Sequence, residues 1–358
     1  MKVSMGTRDN RFWGDDQAVE LAPVSLWLWG VAAMVFVMVV VGGATRLTGS
    51  GLSITEWKPI MGAIPPLSEA DWLAALAKYR EIPQYKLLNK GMSLEAFKAI
   101  FWWEWGHRFL GRLIGLVFVL PYLYFLLRGV IRGRLAVALF GLFVLGGLQG
   151  ALGWFMVQSG LVERTDVSQY RLMAHLTFAS VLFAALVWTA LSIGRKKRTQ
   201  VRLATVARGS TVLALAIVVG VMLQIALGAL VAGLKAGLTY NTWPLMDGRL
   251  VPKGLATLQP LWRNVFENVT TVQFDHRIVA YVLALLVLVQ MVRVVRSADD
   301  AGSRRSAMAL GGAVVGQLAL GVWTLLAVVP ISLGLLHQAG AMVVLGLAIW
   351  HLRSLVER

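Results

Sequence analysis

The stretch EWGHRFLGR (residues 104–112) leads directly into the apolar run LIGLVFVLPYLYFLL (residues 113–127). A similar stretch, QFDHRIVAY (residues 273–281), leads into a second apolar run later in the chain. An apolar segment of about 20 residues is long enough to cross the hydrocarbon core of a bilayer as a helix. A His-Arg pair that appears twice before such a run therefore indicates a membrane protein with an internal duplication.

The composition points to the same class of protein. Of the 358 residues, 58% are hydrophobic and 15% are charged, and the mean hydropathy is +0.69, which is unlike a soluble globular domain. Eight apolar segments are long enough to span a membrane, so we predict an all-α integral membrane protein. The last two are separated only at Pro330. The eight segments are roughly 24–45, 106–127, 135–157, 171–193, 210–233, 275–295, 306–328 and 331–352.

The formal net charge of +16 is unevenly distributed among the loops. Lys and Arg are concentrated in residues 128–134, 194–208 and 293–305, whereas the loops at 158–170 and 328–332 have almost none. Because cytoplasmic loops are rich in Lys and Arg, both termini are predicted to be cytoplasmic. The basic residues are thus a topology signal with anionic lipid as the partner, and we expect no binding to nucleic acid.

The chain contains no cysteine. This excludes disulfides, thiolate metal sites, iron–sulfur clusters and cysteine nucleophiles. The first 23 residues mix basic and acidic side chains, which is unlike a transit peptide or a secretory signal. A bacterial inner membrane is the simplest location.

The two halves of the chain are similar in sequence. GLSITEWKPIMGAIPP (51–66) after the first span and GLTYNTWPLMDGRLVP (237–252) after the fifth both run from Gly-Leu through Trp, Met and Gly to Pro. Four spans return the chain to its starting side, so the halves are predicted to be tandem, pseudo-symmetric four-helix bundles in parallel orientation. The expected parts are a cytoplasmic tail (1–23), an N-terminal half (24–193) with an outer loop (46–104), a basic cytoplasmic linker (194–208), a C-terminal half (209–352) and a cytoplasmic tail (353–358).

Four of the five histidines occupy equivalent places in the two halves, His107 and His175 in the first and His276 and His337 in the second. The predicted topology puts all four within about two turns of the outer surface. Two facing imidazoles in an apolar helix bundle form a bis-histidine haem site. A single histidine could instead bind a backbone carbonyl, but the duplicated set favours ligands. The fifth, His351, is predicted at the cytoplasmic interface.

Arginines follow the first histidine of each half, Arg108 and Arg112 after His107 and Arg277 after His276. Arg108 and Arg277 could extend to lipid headgroups or bind haem propionates. Arg112 lies one turn deeper in the membrane, where a charge requires a partner. That partner is predicted to be a propionate or Glu104.

Glu104 lies three residues before His107 and shares its helix face, whereas the equivalent residue in the second half is Gln273. A titratable group beside only one histidine pair predicts chemistry in the N-terminal half and a purely electronic role for the other half. The alternative is an i,i+4 ion pair between Glu104 and Arg108. Asp275 could equally be a helix cap.

Gln149 in the third predicted span matches Gln317 in the seventh, and both lie beside pairs of glycines four residues apart. Small residues at this spacing let helices approach closely, and an amide can bridge two helices. We therefore predict a packing role for these residues rather than contact with a substrate. The glycines are residues 146, 150, 312 and 316.

The segment RLTGSGLSITEWKPIMGAIPP (46–66), the EWGHRFLGR motif and the four placed histidines together resemble the haem A synthase family, over about residues 25–352. The resemblance implies an eight-helix protein that oxidises the C8 methyl group of haem O to a formyl group. The product is the haem A of terminal oxidases. Some members carry cysteine pairs in the outer loops, and this sequence is similar to the cysteine-free members from proteobacteria and mitochondria.

The resemblance also implies roles for individual residues. His276 and His337 match the axial ligands of a resident haem b, and His107 and His175 match the pair that flanks the iron of the substrate haem. Glu104 matches the acidic catalytic residue. On this hypothesis the methyl group becomes an alcohol and then a hydrated aldehyde, which loses water, while the carboxylate accepts protons or orients a haem ligand.

The implied partners are haem O, membrane lipid, an electron acceptor, the enzyme that makes haem O and oxidase assembly factors. Two other function classes use some of the same features. A di-haem b-type cytochrome would need the same histidines, but haems that relay electrons across a membrane usually lie at two depths. A transporter with parallel repeats would carry its charges near the midplane.

Overall fold

A computed structural model of the chain describes residues 21–162, 164–193, 205–297 and 300–356. The first 20 residues of the predicted tail, most of the basic linker and the last two residues of the chain lie outside this range. Within it, eight helices are long and apolar enough to cross a membrane. They are α1 (Ala22–Leu47), α2 (Leu94–Leu127), α3 (Gly133–Val162), α4 (Gln169–Ile193), α5 (Thr205–Gly233), α6 (Val269–Ser297), α7 (Ala301–Leu326) and α8 (Ile331–Val356).

The eight helices pack in two groups of four. Helix α1 contacts α2 and α4, and α3 also contacts both α2 and α4; helices α5 to α8 repeat this arrangement. The groups meet where α4 contacts α5 and α8, and where α1 contacts α8. The predicted eight-helix, all-α membrane fold is confirmed, and the contacts are compatible with two pseudo-symmetric bundles.

One apolar core runs through both groups and takes residues from all eight helices. Leu28 of α1, Leu186 of α4 and Leu345 of α8 are almost completely buried in it. Many other large apolar side chains remain exposed, including Leu120 and Leu285. Lipid-facing surfaces of membrane helices have this composition, since lipid tails are themselves apolar.

The helix ends follow local rules of the sequence. Ser68 forms a capping box with Asp71 at the start of the loop helix Glu69–Arg80, in which each residue satisfies a backbone N–H of the other. The Ser93 side chain caps α2, which then continues without a break to Leu127. Pro330 separates α7 from α8, because proline has no N–H to continue a helix.

Two long segments lie at the same end of the bundle, residues 48–93 between α1 and α2 and residues 234–268 between α5 and α6. We call this the loop end. The first segment forms a small core with the start of α2, in which Leu76, Tyr79 and Phe97 are buried. The predicted outer loop 46–104 therefore includes the first turns of α2.

Candidate functional site

All four paired histidines lie in helices near the loop end. His175, His276 and His337 are in the second turns of α4, α6 and α8, and His107 is further along the longer α2. Each histidine is half-buried, so part of it remains accessible within an otherwise apolar bundle. The structure thus places all four in equivalent positions, two in each group of helices.

Each of these histidines packs against a glycine of the preceding membrane helix. A Cβ atom added to Gly42, Gly153 or Gly321 would lie 2.8, 2.9 or 2.8 Å from Cε1 of His107, His175 or His337. The corresponding distance from Gly228 to His276 is 3.2 Å. At the three distances below 3.0 Å only glycine lets the backbone approach the ring this closely, and at Gly228 a methyl group would crowd the ring. The four glycines therefore act as the seats of the four imidazoles.

Glutamines bridge the helices next to three of these rings. Nε2 of Gln149 donates to the backbone oxygen of His175 at 3.0 Å and lies 3.1 Å from the ring Nδ1. Nε2 of Gln317 donates to the backbone oxygen of His337 at 2.7 Å and lies 3.2 Å from Nδ1. The predicted amide bridge between helices is thus confirmed.

The prediction for the neighbouring glycines is wrong. A Cβ atom added to any of the four glycines predicted to allow close helix packing would meet no atom within 4 Å. Close packing occurs one turn further along, where the histidines are seated on Gly153 and Gly321. The sequence showed several small residues in this region but not which of them faces a neighbour. The four glycines in question are residues 146, 150, 312 and 316.

The histidines of each half lie near each other. The ring centroids of His276 and His337 are 6.5 Å apart, with an angle of 78° between the rings. His107 is within electrostatic range of His175. The described residues contain no cluster of three or more His, Asp or Glu side chains suited to a bare metal ion, so a pair of imidazoles is the ligand unit that each half offers.

Glu104 is buried and fully engaged by its surroundings. Its Oε2 accepts hydrogen bonds from the Ser53 hydroxyl at 2.8 Å and from the backbone N–H of Ile54 at 2.7 Å. Its Oε1 accepts from Nη2 of Arg108 at 2.6 Å. The i,i+4 ion pair is therefore present, and the carboxylate also attaches the loop end to α2 beside His107.

Gln273 occupies the equivalent place in the second half, but its bonds to the neighbouring loop have the opposite polarity. Its Nε2 donates to the backbone oxygen of Ala236 at 2.8 Å and lies 3.4 Å from that of Tyr240. Its Oε1 accepts from Nη2 of Arg277 at 3.1 Å. The first loop presents donors to a carboxylate and the second presents carbonyls to an amide. The difference between Glu and Gln thus matches the backbone that each one faces.

The three arginines also hold the loops. Arg108 donates to the backbone oxygens of Ile54 and Glu56 at 2.7 and 2.9 Å, and Arg277 donates to those of Tyr240 and Thr242 at 2.7 and 2.9 Å. These side chains therefore bind the protein itself rather than extending freely to headgroups.

Arg112 has the same kind of partners, the backbone oxygens of Lys58 and Pro59 at 2.9 and 2.6 Å. Glu104 is thus not its partner. Among the described residues, Nη1 of Arg112 and Nε of Arg277 are buried without a hydrogen bond. Each of these two arginines therefore keeps one buried donor available for an anionic group.

Charged side chains of the segment between α1 and α2 (residues 48–93) also form ion pairs with one another. Glu56 receives a hydrogen bond from Lys78 at 2.8 Å and lies 3.1 Å from Lys58. The bond from Lys78 and then that from Lys58 lower the pKa of the Glu56 carboxyl below its usual value, against a smaller opposing effect of burial. The loop whose carbonyls hold Arg108 and Arg112 is therefore tied internally as well.

The helix-cap interpretation of Asp275 is wrong. Asp275 lies inside α6, and the side chain of Asn268 accepts from the backbone N–H groups of Thr270 and Thr271 instead. His351 lies near the far end of α8 and is fully buried between helices, where Nε2 of Gln290 lies 3.1 Å from its Nε2. Burial of a polar ring requires such partners, and the apolar sequence around His351 did not reveal them.

The comparisons with known proteins give the family. The profile of the cytochrome oxidase assembly protein family (COX15-CtaA) matches residues 25–349. The chain belongs to this family.

Similar proteins are named heme A synthase. The protein of Parvibaculum lavamentivorans is 53% identical over 334 residues, covering 93% of this chain and 94% of the relative. That of Azorhizobium caulinodans is 55% identical over 333 residues, covering 92% and 93%. That of a Chelativorans strain is 51% identical over 351 residues, covering 97% and 92%.

The four glycine seats and Gln224 are functional positions that were not predicted from the sequence. Nε2 of Gln224 donates to the backbone oxygen of His276 at 2.9 Å and lies 3.0 Å from its Nδ1. A signal was available, because Gln149, Gln224 and Gln317 each precede a seat glycine by four residues. Read with the histidines, that repeated spacing would have paired three of the four histidine helices with the helix that positions each of them.

Proposed function

We propose that this protein is a haem A synthase, a membrane oxidoreductase that converts the C8 methyl group of haem O to the formyl group of haem A. The observation that carries the proposal is the placement of two imidazole pairs at the same end of an eight-helix bundle. Relatives named heme A synthase that match over nearly the whole chain support it.

His276 and His337 are proposed as the axial ligands of a resident haem b. Bonds from a metal to imidazole nitrogen are about 2 Å long, so two rings with centroids 6.5 Å apart would be close enough to hold one iron together. Neutral imidazole adds no net charge to an apolar site, and Gln224 and Gln317 orient the two rings. When bound, haem b supplies one-electron redox chemistry.

His107 and His175 are proposed to flank the iron of the substrate haem. The His107 and His175 side chains are each only half-buried. Nδ1 of His107 is buried without a hydrogen-bond partner among the described residues. Arg108, Arg112 and Arg277 are proposed to lie near the haem propionates. The free donors of Arg112 and Arg277 support this, since guanidinium groups bind carboxylates well.

Glu104 is proposed to act on the first pair by holding residues 53–56 and Arg108 next to His107. Its direct role as a proton acceptor stays a prediction.

Substrate chemistry is proposed for the N-terminal half (24–193) and electron transfer for the C-terminal half (209–352). The chain is proposed to lie in a bacterial inner membrane with cytoplasmic termini and with the loop end on the periplasmic side, as the distribution of Lys and Arg indicates.

The identity of the extracted haem tests the proposal. We expect purified protein to yield haem B together with haem O, haem A or the hydroxylated intermediate, separated by chromatography and identified by mass. Haem B alone at two per chain would contradict the proposal, because both sites would then hold permanent haems. The protein would be a di-haem cytochrome.

The glycine seats give a second prediction with a matched control. Gly321→Ala would place a methyl group 2.8 Å from His337, so the ring must move and we expect the haem B content of the purified protein to fall severalfold. Gly316→Ala on the same helix adds its methyl group in open space and should leave the haem B content unchanged. Equal haem B contents in the two variants would rule out the seat.

A further inference from the structure

One of the four histidine positions lacks the amide that positions the others. Gln149, Gln224 and Gln317 each lie four residues before a seat glycine and bond the histidine on that seat. The residue four before Gly42, the seat of His107, is Met38. A thioether cannot donate a hydrogen bond, so Met38 cannot hold the backbone oxygen and the ring together as the glutamines do.

A second difference accompanies the first on helix α2. The residue four after each histidine is alanine in three cases, at 179, 280 and 341, but after His107 it is Gly111. A Cβ atom added to Gly111 would lie 3.3 Å from Cε of Met38. Glycine at this position thus makes room for the methionine. Met38 and Gly111 thus form a packed apolar contact beside His107, whereas each of the other three histidines has an amide bridge.

The consequence appears in the His107 ring itself. Among the described residues, Nδ1 of His107 is buried and has no hydrogen-bond partner, whereas Nδ1 of the other three rings lies 3.0 to 3.2 Å from a glutamine amide. An imidazole ring that is hydrogen-bonded to a neighbouring side chain is fixed in orientation before it binds a metal. A ring without such a hydrogen bond must lose its rotational freedom when it binds.

We propose that His107 is the releasable axial ligand of the N-terminal half, and that Met38 makes it releasable by replacing a positioning glutamine. This rests on the proposed function, since it assumes a haem between His107 and His175. It extends that function by assigning different roles to the two imidazoles. His175, fixed by Gln149, stays in place, and His107 turns away to admit and discharge the substrate haem or to open one face of its iron.

The test measures carbon monoxide binding to the reduced, purified full-length protein by optical titration. Carbon monoxide binds ferrous haem only where an axial ligand leaves, so its affinity reports how readily the imidazole is released. In wild type we expect one carbon monoxide-reactive haem. Met38→Gln should weaken its binding by about tenfold, the lower end of the effect of groups that orient metal ligands.

Two variants serve as controls. Met38→Leu keeps an apolar side chain without an amide and should bind carbon monoxide as wild type does. Gln224→Met copies the Met38 arrangement into the C-terminal half and should make the resident haem reactive. Indistinguishable affinities in Met38→Gln and Met38→Leu would overturn the proposal. If Met38→Gln does not accumulate, Gln224→Met decides, and an unreactive resident haem in it would equally overturn the proposal.

The carbon monoxide titration and the haem extraction test the release mechanism and the proposed function separately. Haem identity, established by extraction, tests whether the N-terminal half handles haem O. The carbon monoxide titration tests which histidine is released from whatever haem that half binds. Haem O with unchanged affinity in Met38→Gln would reject the release mechanism alone, whereas two molecules of haem B per chain would reject the proposed function.

Discussion

His276→Ala is expected to remove the resident haem b almost completely. The variant deletes one of the two imidazoles proposed as axial ligands and leaves an apolar space next to Gly228, so the haem would retain only His337. Pyridine haemochrome spectra of the purified protein measure haem B per chain. His107→Ala is the matched control, because it deletes the equivalent residue of the other half and should leave the haem B content intact.

Added imidazole distinguishes loss of a ligand from loss of the fold. The space left by the ring in His276→Ala should accept free imidazole, so we expect partial recovery of haem B when the protein is purified with it. Unchanged haem B in His276→Ala, with loss in His107→Ala, would show that the roles of the two halves are reversed.

The sequence predicts much of this architecture because membrane helices follow composition closely. Apolar length gives the eight spans, and every predicted span has a helix in the structure. The ends are less accurate, because α2 starts at Leu94 and several other helices extend beyond their apolar segments. Those extensions, such as the Ser93 cap and the Trp-rich turns before His107, are set by local hydrogen bonds and packing against the loops.

The sequence predicts the histidine ligands of the site, but it does not predict the glycines that pack against them. Histidine is rare in this chain and informative wherever it occurs, whereas glycine is abundant and most of its positions have no special role. Whether a glycine faces a ring, as Gly153 does, or open space, as Gly146 does, depends on the rotation of one helix against another. Hydropathy alone does not fix that rotation, and the buried partners of His351 escaped prediction for the same reason.

Glu104→Gln is expected to reduce the conversion of haem O to haem A at least tenfold while leaving haem b in place. The carboxylate accepts from Ser53, Ile54 and Arg108, and hydrogen bonds to charged groups contribute about 1.5–3 kcal/mol each. A carboxamide has one acceptor oxygen, and its NH₂ group would face a donor. The measurements are the haem A to haem O ratio in membranes and the haem B content of the purified protein.

Gln273→Glu and Ser53→Ala show how the carboxylate acts. Gln273→Glu would turn a carboxylate toward the carbonyl oxygens of Ala236 and Tyr240, so we expect loss of haem b rather than a selective loss of activity. Ser53→Ala keeps the carboxylate but removes one loop contact. An activity loss there of severalfold would support positioning through the loop, whereas wild-type activity would favour direct proton uptake by Glu104. Full activity in Glu104→Gln would exclude both roles, and the Glu104–Arg108 pair would then contribute to stability alone.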